Sequence, residues 1–138
     1  MKQVQIVESS KPLSSQFRAW CIDEWSQDIV ISSPDYPQPI FALCDGKLAG
    51  GIAFSRFEQP FTDKKVVWIN ALLVKPDCRG SGIGSKLIEE ASRQCGDLNQ
   101  QHLYVYTNRP TLYTRLGWQK VPNADAEPQH WVLRTALS

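Results

Sequence analysis

Val74-Lys75-Pro76-Asp77-Cys78-Arg79-Gly80-Ser81-Gly82-Ile83-Gly84-Ser85-Lys86 joins two unlike stretches of sequence. Before it, Val66 to Val74 reads V-V-W-I-N-A-L-L-V, nearly all apolar, which is the pattern of a strand buried on both faces. Pro76 ends that strand. After it, Ile83, Leu87, Ile88, Ala91 and Cys95 fall on one helical stripe, and Gly96 is a natural stop for the helix. Between the two, Gly80, Gly82 and Gly84 carry a conformational cost, and a glycine in the first turn of a helix is worse than alanine by about 1 kcal/mol. That cost makes sense where ligand oxygens must approach bare backbone N–H groups at the positive end of a helix dipole. The turn therefore reads as an anion site, most naturally for phosphate, with an ordinary strand-to-helix turn as the alternative. Two common phosphate loops fail on spacing. A Walker A loop needs its lysine directly after the last glycine and a hydroxyl residue after that, whereas Ser85 separates Gly84 from Lys86. A dinucleotide fingerprint needs G-x-G-x-x-G and an acidic residue about 20 positions on, where Asn99 and Gln100 stand instead.

Outward from this turn, the remaining chain alternates strand and helix signals. Residues 3–7 alternate polar and apolar and predict a short strand. Lys11-Pro12 is a helix entry, and Leu13, Phe17, Trp20, Cys21 and Trp25 give a helix over roughly 13–27 a face to bury. The three prolines between Ser32 and Pro39 mark a loop. Ile40 to Cys44 and Leu48 to Phe57 read as two strands joined by an Asp45-Gly46 hairpin turn, with Gly50-Gly51 marking a bulge or a close backbone approach. Beyond the amphipathic helix, where Glu89 and Arg93 are spaced to pair, follow a strand over His102–Thr107 and a short helix over Pro110–Leu116 ended by Gly117. Strands over Trp118–Val121 and His130–Leu137 come last, the final one closing the sheet. This order is that of one mixed α/β domain over 1–138 without internal repeats.

Composition narrows the function classes. Fifteen Lys and Arg against fourteen Asp and Glu leave a net charge of +1, without the basic surplus a general nucleic-acid binder needs. No apolar run approaches the roughly 20 residues that span a bilayer, and the first residues lack the apolar stretch of a signal peptide, so a cytoplasmic chain is expected. Cys21, Cys44, Cys78 and Cys95 are widely spaced with no C-x-x-C pair and read as free thiols. The two histidines, His102 and His130, stand at strand beginnings away from any cysteine, read as structural or exposed, and leave no metal site to expect.

The glycine turn V-K-P-D-C-R-G-S-G-I-G resembles the V-x-P-x-x-[RQ]-G-x-G-[IVL]-G signature of the GNAT superfamily of N-acetyltransferases. Leu112-Tyr113-Thr114-Arg115-Leu116-Gly117-Trp118 resembles that family's L-Y-x-x-L-G-[FW] block at the expected distance downstream. The resemblance covers roughly residues 40–121. It implies a mixed, mostly antiparallel central sheet of about six to seven strands flanked by about three to four helices. It also implies transfer of an acetyl group from acetyl-CoA to a primary amine by direct attack in a ternary complex, on a small-molecule or peptide acceptor, with no metal. The alternative is a GNAT-like module that binds CoA without transferring anything. No nucleic acid or membrane partner is expected, and a homodimer stays open, because family members often dimerise.

Residue by residue, the resemblance assigns the pyrophosphate to the main chain of Arg79, Gly80, Ser81, Gly82, Ile83 and Gly84, with the Arg79 side chain adding positive charge. The backbone of Leu73 and Val74 would pair with the pantetheine like an added strand, and Asn108 would hydrogen-bond nearby unless it caps the following helix. Tyr113 would protonate the departing thiolate, a task suited to a positioned phenol of pKa about 10; the alternative is a packed tyrosine. A bulge in the central strand would turn a backbone N–H toward the oxyanion. Many family members carry a glutamate as base where this chain has Asn70. An amide orients a water or a substrate amine but takes no proton at neutral pH, so either the substrate arrives already neutral or a base comes from elsewhere, with Glu24, Asp23 and Glu58 as unranked candidates against a reading as plain surface charge. Five carboxylates and no cation between Arg18 and Lys47, with Trp20, Trp25 and Tyr36 among them, suggest a negative wall for a cationic amine or a plain solvated face.

Overall fold

The computed structural model describes residues 3–28 and 33–137. The apolar run before the glycine turn is the middle strand of a seven-stranded sheet. Its strands are β1 (Val4–Val7), β2 (Ile40–Cys44), β3 (Lys47–Glu58), β4 (Lys65–Val74), β5 (His102–Thr107), β6 (Gln119–Lys120) and β7 (Trp131–Ala136). They lie in the order β1-β2-β3-β4-β5-β7-β6. Every neighbouring pair is antiparallel except β4 with β5. That parallel pair needs a crossover, which is helix α2 (Ile83–Asp97) entered through a 3-10 turn at Pro76–Cys78. Helix α1 (Lys11–Trp25) precedes β2, and the short α3 (Pro110–Thr114) follows β5.

The two long helices cover opposite faces. The stripe Ile83, Leu87, Ile88, Ala91 and Cys95 of α2 packs on Ile40, Ile52, Phe54, Val67, Ile69, Leu103 and Leu133 in the larger core. On the other face, Phe17 and Cys21 of α1 pack against Phe41, Ala53, Ala71 and Leu73. Burying a side chain such as Phe17, which is fully buried, is worth about 1.5–3 kcal/mol. Glycine permits this contact: a Cβ on Gly51 would stand 2.7 Å from the Phe17 ring and 2.8 Å from that of Phe41. The expected close approach at Gly50-Gly51 is therefore present, and the bulge lies one residue earlier, at Ala49, where the β2–β3 register shifts.

The sheet carries two further irregularities, both beside the glycine turn. In β3–β4, Ala53 pairs with Ala71 but Phe54 pairs with Ile69, so Asn70 is an extra residue bulged from the middle strand. β4 and β5 pair only at Trp68–Tyr104 and Ile69–Val105, and beyond that point they part.

Several local expectations needed correction. Gly96 stays inside α2, and the chain turns left-handed at Asn99, φ 61°, instead. Arg93 pairs with Glu90 and, at 3.1 Å, with Asp97, leaving Glu89 out of the cluster. A guanidinium between one carboxylate three residues before it and another four after it has two partners without needing Glu89. α3 is shorter than its motif and ends at Thr114, and β7 lies inside the sheet while the two-residue β6 forms the edge. Trp25, the last residue of α1, is 42% exposed and not part of the buried face. The expected loop at 32–39 is irregular from Ser33, its first residue lying outside the described residues.

Candidate active site

The glycine turn adopts the conformation its composition demands. Gly80 and Gly82 have φ of +85° and +81°, a region closed to most side chains, and a Cβ at either would meet nothing within 4 Å. No packing excludes a side chain there; the backbone conformation does, and the space outside stays open for a ligand. Gly82 is the N-cap of α2 and no side chain caps the helix. Ser81 Oγ is instead turned back, donating to the Cys78 carbonyl at 2.6 Å. Among the described residues, the N–H groups of 80–85 donate to no acceptor in the chain, and the first helical bond is from Lys86 N to the Gly82 carbonyl. Unsatisfied N–H groups at a helix start, with the positive end of the dipole behind them, form an anion cradle. The donor set and the open space suit a pyrophosphate.

The cradle is fixed to the cleft between β4 and β5. Lys75 N donates to the Ala49 carbonyl at 2.7 Å, which holds the end of β4 against β3. The Leu73 side chain is buried under α1 and that of Val74 packs on the α2 side. The Arg79 side chain reaches back to β4. Its Nε donates to the Val74 carbonyl at 3.0 Å, so it latches the turn onto the last residue of β4. Asn70, exposed on the bulge, stands at the point where β4 leaves β5. One step beyond the last β4–β5 pair, the residue level with it on β5 is Tyr106, which is 43% exposed. Asn108 is exposed and does not cap α3; that position is Arg109, without a side-chain cap.

Tyr113 lies on α3, 3% exposed, with its ring edge-to-face to Trp118 at 5.0 Å. Burial raises its phenol well above the ordinary tyrosine pKa, so the hydroxyl is a proton carrier and not a phenolate. No hydrogen bond ties that hydroxyl to the chain, and no buried polar side-chain atom is left unpaired among the described residues, so its tip reaches solvent. The arrangement thus combines an anion cradle, an opened strand pair with a bulge, and a protonated phenol.

The expected negative wall is dispersed. Asp28 forms an ion pair with Arg18, Asp45 accepts from Gln3 N in the β2–β3 turn, and Asp35 lies by Arg56 of β3, whose guanidinium donates to its carbonyl. Asp23 and Glu24 remain exposed at the end of α1. Sequence reading passed over a cluster on the far wall of the cleft, where Tyr106 Oη accepts from Glu127 N at 2.8 Å and its ring stacks on His130 at 5.1 Å. Its only signal was the aromatic alternation His102, Tyr104, Tyr106 on β5, which does not locate the loop that packs on it. Two surface hollows, one by Arg56, Lys64 and Tyr104 and one by His102, Gln119 and Arg134, lie at the other end of β5 from the glycine turn. Among the described residues no three His, Cys, Asp or Glu side chains gather as for a metal, and no helix is long and apolar enough to cross a membrane.

Comparison with known proteins agrees with this geometry. The chain superposes on the acetyltransferase of GNAT family from Streptococcus pneumoniae with a TM-score of 0.73 at 15% identity, over 99% of this chain and 100% of that one. The ribosomal-protein-S18-alanine N-acetyltransferase from Escherichia coli gives 0.68 at 14% identity, over 99% and 95%. N-acetylglutamate synthase from Neisseria gonorrhoeae, complexed with coenzyme A and N-acetyl-glutamate, gives 0.68 at 17% identity, over 99% of this chain and 35% of that one. At such identities these likenesses speak for the fold alone. The sequence profile of the Acetyltransferase (GNAT) family, however, matches residues 6–118, most of the chain, and places both the cradle and the Tyr113 block inside it. With fold, cradle and profile in accord, the chain belongs to the GNAT acetyltransferase family.

Proposed function

We propose that this chain, as a single catalytic domain, transfers the acetyl group of acetyl-CoA to a primary amine by direct attack in a ternary complex. The observation that carries this reading is the run of unpaired N–H groups from Gly80 to Ser85 beside the parted end of β4. In it, those amides hold the pyrophosphate, and the main chain of Leu73 and Val74 takes the pantetheine. For Val74 this requires the Arg79 guanidinium to release the carbonyl it holds, after which its charge is free for the phosphates. The bulge at Asn70 turns main-chain donors toward the thioester oxygen, where charge develops during attack. Asn70 itself orients the amine, Asn108 hydrogen-bonds the carrier, and Tyr113 gives its proton to the sulfur as the C–S bond breaks.

The test is a screen of amines (polyamines, amino acids, peptide N-termini and peptide lysines) with acetyl-CoA, read by mass spectrometry and thiol release. Acetylated product on at least one amine is expected. A Gly82→Val variant, forced from φ +81°, should lose CoA binding at least tenfold by isothermal titration while remaining folded by circular dichroism. Tight CoA binding without product on any amine would instead identify a binding module, and unchanged affinity in Gly82→Val would remove the cradle from the proposal.

A further inference from the structure

The reaction needs a group that takes a proton from the incoming ammonium, and the bulge of β4 carries an amide, Asn70, where a carboxylate would serve. Across the cleft, the loop between β6 and β7 brings a different base. His130 N closes a turn on the Glu127 carbonyl at 3.0 Å, and His130 Nδ1 lies 3.1 Å from the Pro128 carbonyl. A carbonyl oxygen only accepts, so Nδ1 holds the proton of that bond, and the other nitrogen, Nε2, is the basic one in the neutral ring. The ring is half-buried and stacks on Tyr106, centroids 5.1 Å apart and planes 21° from parallel. Tyr106 is anchored in turn by the Glu127 N–H. Tyr106 is also the β5 residue level with Asn70 at the mouth of the parted strands.

We infer that His130 is the general base of this enzyme, an imidazole fixed by Pro128 through Nδ1 and positioned by Tyr106 so that Nε2 meets the acceptor amine. The inference rests on the acetyl-transfer reading above. Nε2 takes one proton from the ammonium, which frees the nitrogen lone pair to form the C–N bond. As the C–S bond breaks, the sulfur takes the Tyr113 proton, and the second proton shed by the new amide nitrogen restores the phenol. The His130 proton then passes to water, leaving an N-acetyl amine and a free thiol. Of the titratable groups, Tyr106 of β5 stacks on the ring, Glu127 on its own loop holds Tyr106 through its N–H, and Lys120 of β6 sits over the neighbouring Trp131. None of them forms an ion pair with it among the described residues.

Two measurements test the assignment. Long-range nitrogen-proton NMR on the intact protein at neutral pH should show His130 protonated at Nδ1 and bare at Nε2, whether or not any amine is turned over. Thiol release from acetyl-CoA is then followed with methylamine, cationic at pH 7, and hydroxylamine, largely neutral there. His130→Gln should slow the methylamine reaction about 10²–10⁴-fold, the range for losing a general base, and the hydroxylamine reaction far less. The methylamine deficit should shrink as pH rises toward that amine's own pKa. Tyr106→Leu, which removes the stacking partner, should show the same selective loss in weaker form. An Nε2–H tautomer, or equal losses with both nucleophiles, would overturn the assignment. Wild-type protein that binds no CoA would count against acetyl transfer itself, and the tautomer would still report on the ring.

Discussion

To act as the proposed acid, Tyr113 has to be buried enough to stay protonated and near enough to the surface to meet a sulfur. Its 3% exposure and its contact with Trp118 meet the first demand, and the unpaired hydroxyl meets the second. Because burial lifts the phenol above its ordinary value, the acid stays loaded through neutral and mildly alkaline pH and adds no basic limb to the rate profile below about pH 10. Tyr113→Phe should therefore lower kcat about 10²–10⁴-fold at every pH in that range, with acetyl-CoA affinity unchanged. Undiminished turnover would leave Tyr113 as packing only. The same shift bears on stability. The folded pKa is raised, so the stabilisation is fully present below about pH 10, where the unfolded tyrosine titrates, and is lost as pH rises toward the folded value. Urea unfolding at pH 8 and pH 11 should show a smaller alkaline loss in the phenylalanine variant. Cys21 and Cys95, whose thiols burial raises to about 11 and about 12, contribute in the same direction in both proteins.

At the level of elements, the α1 contact is the most exacting. Gly51 has no room for a methyl group, since its two nearest neighbours are the rings of Phe17 and Phe41 and both are fully buried. Gly51→Ala should destabilise by about 1–3 kcal/mol in urea unfolding, and Phe17→Leu in the same chain should recover part of that loss. Additive losses in the double variant would place the strain elsewhere. Contacts of this kind also explain what could be read in advance. β2 and β5 begin and end where their patterns do, because alternation and bounding turn residues are local signals. The Asp45-Gly46 turn has φ of 52° and 82°, as its composition requires. The end of α2 was misplaced because Gly96 takes a helical conformation here and Asn99 is the residue that turns left-handed. The position of the bulge at Asn70 follows from the β3–β4 register, a pairing between distant residues that no window of sequence contains. For the same reason the glycine cradle was legible from one stretch, whereas the Tyr106–His130 pair, 24 residues apart, emerged only when β5 and β7 lay side by side.

The whole molecule is two half-sheets joined by a short seam. β1 to β4 form one continuous antiparallel unit, and β5, β7 and β6 form another. Among the described residues the only ladder between them is the Trp68–Tyr104 and Ile69–Val105 pairs, with the core beneath α2 supplying the rest. Past that seam, the main-chain groups of β4 from Asn70 to Val74 that face β5 have no strand partner. The N–H groups among them should exchange with solvent faster than those of the alternate residues, which pair to β3. A ligand that lies in the cleft as an extra strand would satisfy both half-sheets at once, whereas one that fills only the cradle would not. Hydrogen exchange separates the two. Adenosine 3′-phosphate 5′-diphosphate, which keeps the pyrophosphate but lacks the pantetheine arm, should slow exchange at the amides of 80–85 and leave the cleft-facing amides of 70–74 as they were. Intact coenzyme A should slow both sets and raise Tm further, by an amount that grows with ligand concentration as mass action requires, about 2.7 kcal/mol of added stability at one hundred times Kd. If coenzyme A protects the cradle alone, the parted strands are not the seat of the pantetheine, and the amine must meet the thioester somewhere other than between Asn70 and Tyr106.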